Sequence, residues 1–135
     1  MREIKFRGTI LFGDDQGRWI AGDLEHFTAL DGREMVRIRH EIGHKEIVIP
    51  ETVGQYTGQK DPNGMEIYEG DVVSCSTFRG VVKYNSYTAS FQAVSAGWWP
   101  ISLEYDKHDP FEVIGNIFDD PELNKQFGEV YRKEQ

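Results

Sequence analysis

Lys60-Asp61-Pro62-Asn63-Gly64-Met65-Glu66-Ile67-Tyr68-Glu69-Gly70-Asp71-Val72-Val73-Ser74-Cys75 is the stretch that decides the fold class. Pro62 pre-sets φ for a turn, and Asn63-Gly64 tolerates the positive φ needed to close it. Met65 to Tyr68 then reads as a short strand. Glu69-Gly70-Asp71 is a second tight turn that feeds the strand Val72-Val73-Ser74-Cys75. Short apolar runs between turn signals are how strands are written.

The same pattern extends in both directions. Upstream, Ile4, Phe6 and Thr9 to Phe12 form a first strand region, Gly13 to Gly17 a turn cluster, and Arg18 to Leu24 the returning strand. Val36 and Ile38 alternate with Arg37 and Arg39, and Ile47 and Ile49 with Glu46 and Val48, giving a second hairpin that Pro50 ends because proline cannot donate to a ladder. Downstream, Val81 to Tyr84, Ala89 to Val94, Trp98 to Leu103 and Glu112 to Ile117 read as further strands. One helix is expected at the end: Asp120 caps it, Pro121 suits its first position, and Glu122 favours its N-terminal dipole. Leu123, Phe127 and Tyr131 share one face, so this helix docks on the domain. The expected fold is mainly β: a small barrel over residues 51–135 carrying the C-terminal helix, preceded by a β-rich portion over residues 1–50, together one compact unit.

A chain of 135 residues is long enough to bury a core without disulfides or metal. Its one cysteine, Cys75, cannot form an internal bridge, which argues against a disulfide-stapled secreted scaffold. The first residues mix charge with apolar groups, unlike a signal peptide or a membrane anchor, so a cytoplasmic protein without membrane association is expected. The net charge is −8, and its source is uneven: residues 1–50 hold 8 Lys+Arg and 9 Asp+Glu, residues 51–135 hold 7 and 14. Phosphate neutralisation needs clustered cations. The densest basic stretch, Arg33, Arg37, Arg39 and Lys45, is interleaved with Glu34, Glu41 and Glu46, so direct nucleic-acid binding is not expected.

His40-Glu41-Ile42-Gly43-His44 matches H-E-x-x-H, which in zinc hydrolases sets two histidines one helical turn apart with the glutamate as base. The surroundings argue against that role. The residues before it alternate with period two, Gly43 lies inside it, and Ile47-Val48-Ile49-Pro50 follow at once, so it reads as the loop of a hairpin. A third ligand is also wanting: Ile47 and Pro50 stand where a metzincin needs Gly and His, and Glu66 and Glu69 lie among turn and strand signals. No metal, cofactor or catalytic residue is assigned. His26 and His108 stand alone, Cys75 reads as a small buried residue, and Asp119-Asp120 and Glu104-Tyr105-Asp106 read as a helix cap and a solvated loop.

Trp98-Trp99 is the remaining candidate. Adjacent side chains on a strand point to opposite faces, so both cannot enter one core. Burial of the outward ring by another part of the same chain is the expected arrangement. Exposure beside Tyr84 and Tyr87 is the alternative, and would make Trp98 and Trp99 a peptide-binding surface.

Val48 to Gly58, Lys60 to Gly64 and Ile67 to Val73 closely resemble the YopX family, as do Arg2 to Gly8 and Val113 to Ile117. The resemblance implies a phage- or prophage-encoded protein whose C-terminal part is an SH3-type barrel. The family has no established activity, so it carries over no catalytic or binding residues. Three functions follow in order of preference. The first is a non-enzymatic module that binds an unknown host or phage protein in the bacterial cytoplasm. The second is an acidic mimic of nucleic acid that blocks a host DNA-binding protein, and the third a zinc hydrolase through His40, Glu41 and His44. Self-association through exposed strand edges is compatible with each.

Overall fold

A computed structural model describes residues 3–104 and 106–133. Arg2 of the opening block and Tyr105 of the acidic triplet lie outside the described residues. The strands are β1 (Phe6–Thr9), β2 (Trp19–Thr28), β3 (Glu34–Arg39), β4 (Lys45–Ile47), β5 (Gly54–Lys60), β6 (Glu66–Tyr68), β7 (Asp71–Ser74), β8 (Arg79–Asn85), β9 (Ser90–Val94), β10 (Ile101–Ser102) and β11 (Glu112–Asn116). A 3-10 turn, Pro50–Thr52, precedes β5, and α1 (Pro121–Arg132) closes the chain. The protein is mainly β, with two antiparallel sheets and a short C-terminal helix. It divides into two compact units, Met1–Tyr56 and Thr57–Gln135.

In the first unit the strand order is β4-β3-β2-β1-β5. Strand β2 is longer than its apolar pattern suggests, because it serves two partners. Trp19 to Gly22 pair with β1, and Asp23 to Thr28 pair with β3. Gly22 stands at the changeover with φ +157°, where a Cβ would lie 2.0 Å from the Arg39 carbonyl oxygen. The bend lets the chain curl. A bridge joins Ile10 to Val48, with Leu11 N donating to Ile47 O at 2.9 Å and Ile49 N to Thr9 O at 2.8 Å. Ile10, Ile20, Val36, Ile38 and Val48 fill the resulting core.

The outer face of β2, β3 and β4 is a charge ladder. Glu25 sits opposite Arg37, whose Nε donates to it at 2.6 Å, while Arg39 Nε and Lys45 Nζ stand 3.6 and 3.7 Å from the same carboxylate. Arg39 also reaches Asp23 at 3.3 Å, and Arg33 reaches Asp31 at 2.7 Å. All four cations of the basic stretch are therefore matched by carboxylates. The Arg37 hydrogen bond holds the Glu25 carboxyl below its ordinary value; desolvation opposes this, and the charges of Lys45, Arg37 and Arg39 add to it. A depressed folded pKa stabilises the fold above the unfolded value of 4.5, and that contribution disappears as pH falls through the folded pKa. Glu25→Gln is expected to flatten the acid limb of a stability-against-pH curve below about pH 4.5. Urea midpoints of both proteins across that range check it; parallel curves would refute the assignment.

In the second unit the five-stranded sheet has the order β10-β9-β8-β7-β11. Its central strands carry the doubled valines Val72-Val73 and Val81-Val82, all fully buried. Alternation sends one of each pair to either face, and both faces are covered, which is why the run is continuously apolar. Val73, Val82 and Ala93 pack with Ile67, Leu103, Phe78 and Phe111; Val72 and Val81 pack with Ile117, Leu123 and Phe127. Helix α1 forms as its cap foretells, the Asp120 side chain accepting from Glu122 N and Leu123 N. Lys83 Nζ donates to the Val130 and Lys133 carbonyls at its far end, where a cation meets the negative pole of the helix dipole.

Besides β2, other strand boundaries differ from expectation. The run Trp98 to Leu103 is a strand only at Ile101–Ser102. A turn closed by Trp98 N donating to Ser95 O at 3.2 Å, with Gly97 at φ +80°, takes its first residues. Ala89 is not in β9 but in the β8–β9 turn at φ +52°, where the Asn85 side chain accepts from Tyr87 N and Thr88 N.

Candidate functional site

The H-E-x-x-H residues form the β3–β4 loop. His40 N donates to His44 O at 2.7 Å and Gly43 N to His40 O at 2.8 Å, with Gly43 at φ +92° closing the reversal. The two imidazoles are therefore not stacked one helical turn apart. His44 Nε2 pairs instead with Glu46 at 2.8 Å, and Ile42 N donates to His40 Nδ1 at 3.3 Å. Glu41 is exposed. Among the described residues no group of three or more His, Cys, Asp or Glu side chains is arranged to hold a metal ion.

This loop nevertheless borders a groove of about 430 Å³. Ile10, Ile20 and Ala21 line it with Trp19, and Asp15, Arg18, His40, Ile42 and His44 complete it. Arg7 stacks its guanidinium 4.5 Å from the Trp19 ring centroid, a cation–π contact that holds the indole in place. Trp19 is not among the site residues expected from the sequence. The signal was available: an aromatic immediately before the core residue Ile20 must point away from that core.

Trp98 and Trp99 are not buried beneath a loop or the helix, as expected for one of them. They are 71% and 88% exposed. The reason is local: neither lies on a strand, so no alternation sends either ring into a core. They are not beside the tyrosines either. Tyr84 pairs with Phe91 near one end of β9, while the tryptophans follow Val94 at its other end, and β9 spans roughly 13 Å at ~3.3 Å per residue. Tyr84 keeps an edge-to-face contact with Phe91, and Tyr87 is exposed in the β8–β9 turn. The exposed large hydrophobics of the tryptophan loop and the adjoining edge strand β10 are thus Trp98, Trp99 and Ile101.

Other candidates take structural roles. Cys75 is half-buried rather than buried, with its Sγ 3.9 Å from Thr77 Oγ1. Asp109 accepts from Ser76 N and Oγ at 2.9 and 2.8 Å, and these bonds hold its carboxyl below its ordinary value. His26 and His108 are exposed, as are Glu104 and Asp106. Asp119 accepts from the Asn116 side chain, and Asp120 is the helix cap. Asp61, which no site reading singled out, is 7% exposed and accepts from three backbone amides: Asn63 and Met65 on Oδ1, Val113 on Oδ2.

The model of the protein family described as YopX protein matches residues 5–125. The chain belongs to the YopX family. The match takes in both units and every strand, and it includes the block from Val48 to Val73 that carries the sequence resemblance. In this YopX-family chain that block contains the 3-10 turn, β5, the Asp61 turn, β6 and the first strand of the five-stranded sheet. No curated protein matches the chain. Among the described residues no helix is long and apolar enough to cross a membrane.

Proposed function

We propose that this YopX-family chain is a non-enzymatic protein-binding module of phage or prophage origin, acting in the cytoplasm of the bacterial host. The observation that carries the reading is the pair of exposed indoles at Trp98 and Trp99, next to the edge strand β10. Exposed tryptophans grouped on one loop are what interface hot spots are made of, because each buries a large apolar area for little conformational entropy. The fold reading that accompanies it is an SH3-type barrel for the second unit, supported by its five-stranded antiparallel sheet with tight turns. The acidic excess of residues 51–135 favours a partner segment with Lys or Arg near its apolar anchors, since such side chains add cation–π contacts to exposed indoles.

Acidic mimicry of nucleic acid is the weaker reading. Asp61 and Asp71 are buried, and Asp109, Asp119 and Asp120 are bound into turns and a helix cap, so five of the 14 acids of residues 51–135 have structural roles that need no acidic docking face.

A tagged pull-down from host lysate, with proteins and nucleic acids both identified, tests the proposal. One protein is expected at near-stoichiometric level. Its affinity for purified chain is expected to fall about 30-fold in Trp98→Ala or Trp99→Ala, the effect of losing about 2 kcal/mol at a hot spot. Equal binding by both variants, or an eluate holding only the bait, would refute it. Both positions lie on an exposed loop, so folding of the variants is not at stake.

A further inference from the structure

The groove in the first unit is a different feature from the tryptophan loop, and its chemistry points to a small ligand. Two hairpin loops border it, each fixed by its own backbone bonds. In the β1–β2 loop, Ile10 N donates to Arg18 O at 2.9 Å, Gly17 N to Ile10 O at 2.9 Å and Arg18 N to Asp15 O at 3.0 Å. In the β3–β4 loop, the His40–His44 and Gly43–His40 bonds do the same. A site held in this way loses little freedom when a ligand enters. Its volume of about 430 Å³ falls in the range of small-molecule sites rather than of packing defects.

The lining sorts into two kinds of contact. Ala21 and Ile42 give apolar surface over the buried Ile10 and Ile20, and Trp19 gives an aromatic wall held by Arg7. Arg18, His40 and His44 give polar groups. Ile42 N donates to His40 Nδ1, so the neutral imidazole keeps its proton on Nε2 and remains a donor there. His44 turns Nε2 to Glu46. Arg18 is 78% exposed and pairs with the half-exposed Asp15 at 3.5 Å, a contact that a ligand anion can displace at low cost. Two guanidiniums stand near Trp19, Arg7 at its ring and Arg18 beside it, against the one lining carboxylate, Asp15. We propose that this groove binds a planar aromatic ring bearing an anionic group, with Trp19 and Ile42 taking the ring and Arg18 and His40 the anion. The H-E-x-x-H residues would then serve as part of a binding rim and hold no metal.

The probe is 1-naphthoate, titrated into the full chain while backbone amide shifts are followed by NMR. Expected are saturable shifts confined to residues 10, 15–21 and 40–44, with a Kd of about 1 mM or tighter, the range open to a ligand of about a dozen heavy atoms. Removing the charge (1-naphthalenemethanol) or the aromaticity (cyclohexanecarboxylate) is expected to weaken binding about five-fold each, as are Arg18→Ala and His40→Ala. Both substitutions lie on loops and leave the core intact, and a dispersed amide spectrum verifies this. Trp19→Phe keeps a ring and is expected to retain part of the affinity. Shifts that never saturate, shifts centred on Trp98 and Trp99, or unchanged affinity in both Arg18→Ala and His40→Ala would overturn the proposal. Because the readout is in the first unit, its failure leaves the reading of the tryptophan loop untouched.

Discussion

Asp61→Ala is expected to destabilise the second unit by about 3 kcal/mol, because it strands three backbone donors at once. Asn63 N and Met65 N each donate to Oδ1 at 2.9 Å, and Val113 N donates to Oδ2 at 3.0 Å. The carboxylate thus closes its own turn and also fastens that turn to β11, 52 residues away. Alanine offers no acceptor, and a site only 7% exposed admits little water to replace it. Even at about 1 kcal/mol for each lost bond, below the ~1.5–3 kcal/mol usual for a charged acceptor, the total is large beside the usual margin of stability. Asp61→Asn distinguishes this account from mere loss of charge. Its amide oxygen can still serve Asn63 and Met65, while its NH2 faces the Val113 donor, so an intermediate loss is expected. Urea unfolding followed by circular dichroism measures the total. Hydrogen exchange at the amides of Asn63, Met65 and Val113 localises it. A loss under about 1 kcal/mol for Asp61→Ala would mean that the three amides find other partners.

Gly22→Ala is expected to cost at least as much, by a different route. Its Cβ would stand 2.0 Å from the Arg39 carbonyl oxygen and 2.8 Å from the carbonyl carbon, both backbone atoms that cannot swing aside. At φ +157° an L side chain is also strained. The relief available is to separate β2 from β3 where Asp23 pairs with Arg39. That would break the bend through which β2 passes from β1 to β3, and the curl that brings Ile10 to Val48. A loss of roughly 3 kcal/mol or more is expected, comparable with overpacking at its worst. Amide shifts at Arg39 and His40 should report it first. Gly13→Ala is the comparison: that glycine also has positive φ, but nothing lies within 4 Å of its Cβ position, so only the smaller conformational cost of about 1 kcal/mol remains. Equal effects at the two positions would remove the steric argument.

The legible parts of this protein were those with local causes. Asp120-Pro121-Glu122 specifies a helix start through groups at most three residues apart, and the helix begins there. Lys60 to Gly64 and Glu69-Gly70 specify turns through proline's fixed φ and glycine's positive φ, and Gly64 and Gly70 adopt φ +82° and +90°. The doubled valines mark strands covered on both faces. The reading of His40 to His44 as a hairpin loop also stood on local evidence, because alternation before it and β-branched residues after it leave no helix to carry the motif.

What the residues alone determined, then, is the mainly β class, the terminal helix with its cap, the loop nature of the H-E-x-x-H residues and, through the Val48 to Val73 block, the YopX family. Tertiary structure decided the rest. Whether β2 stops at Leu24 or runs to Thr28 depends on the pairing that β3 offers, with partners as far apart as Asp23 and Arg39. Whether Asp61 is a turn residue or also a fastening depends on Val113 arriving beside it. Whether the tryptophans are buried depends on the register of β9 with β10, which begins only at Ile101 and leaves both rings in the connecting loop. The groove between two loops exists only because β1 and β4 curl toward each other. Each of these rests on a contact between residues distant in sequence, and such contacts are set by how whole strands pack, which no short window of sequence records.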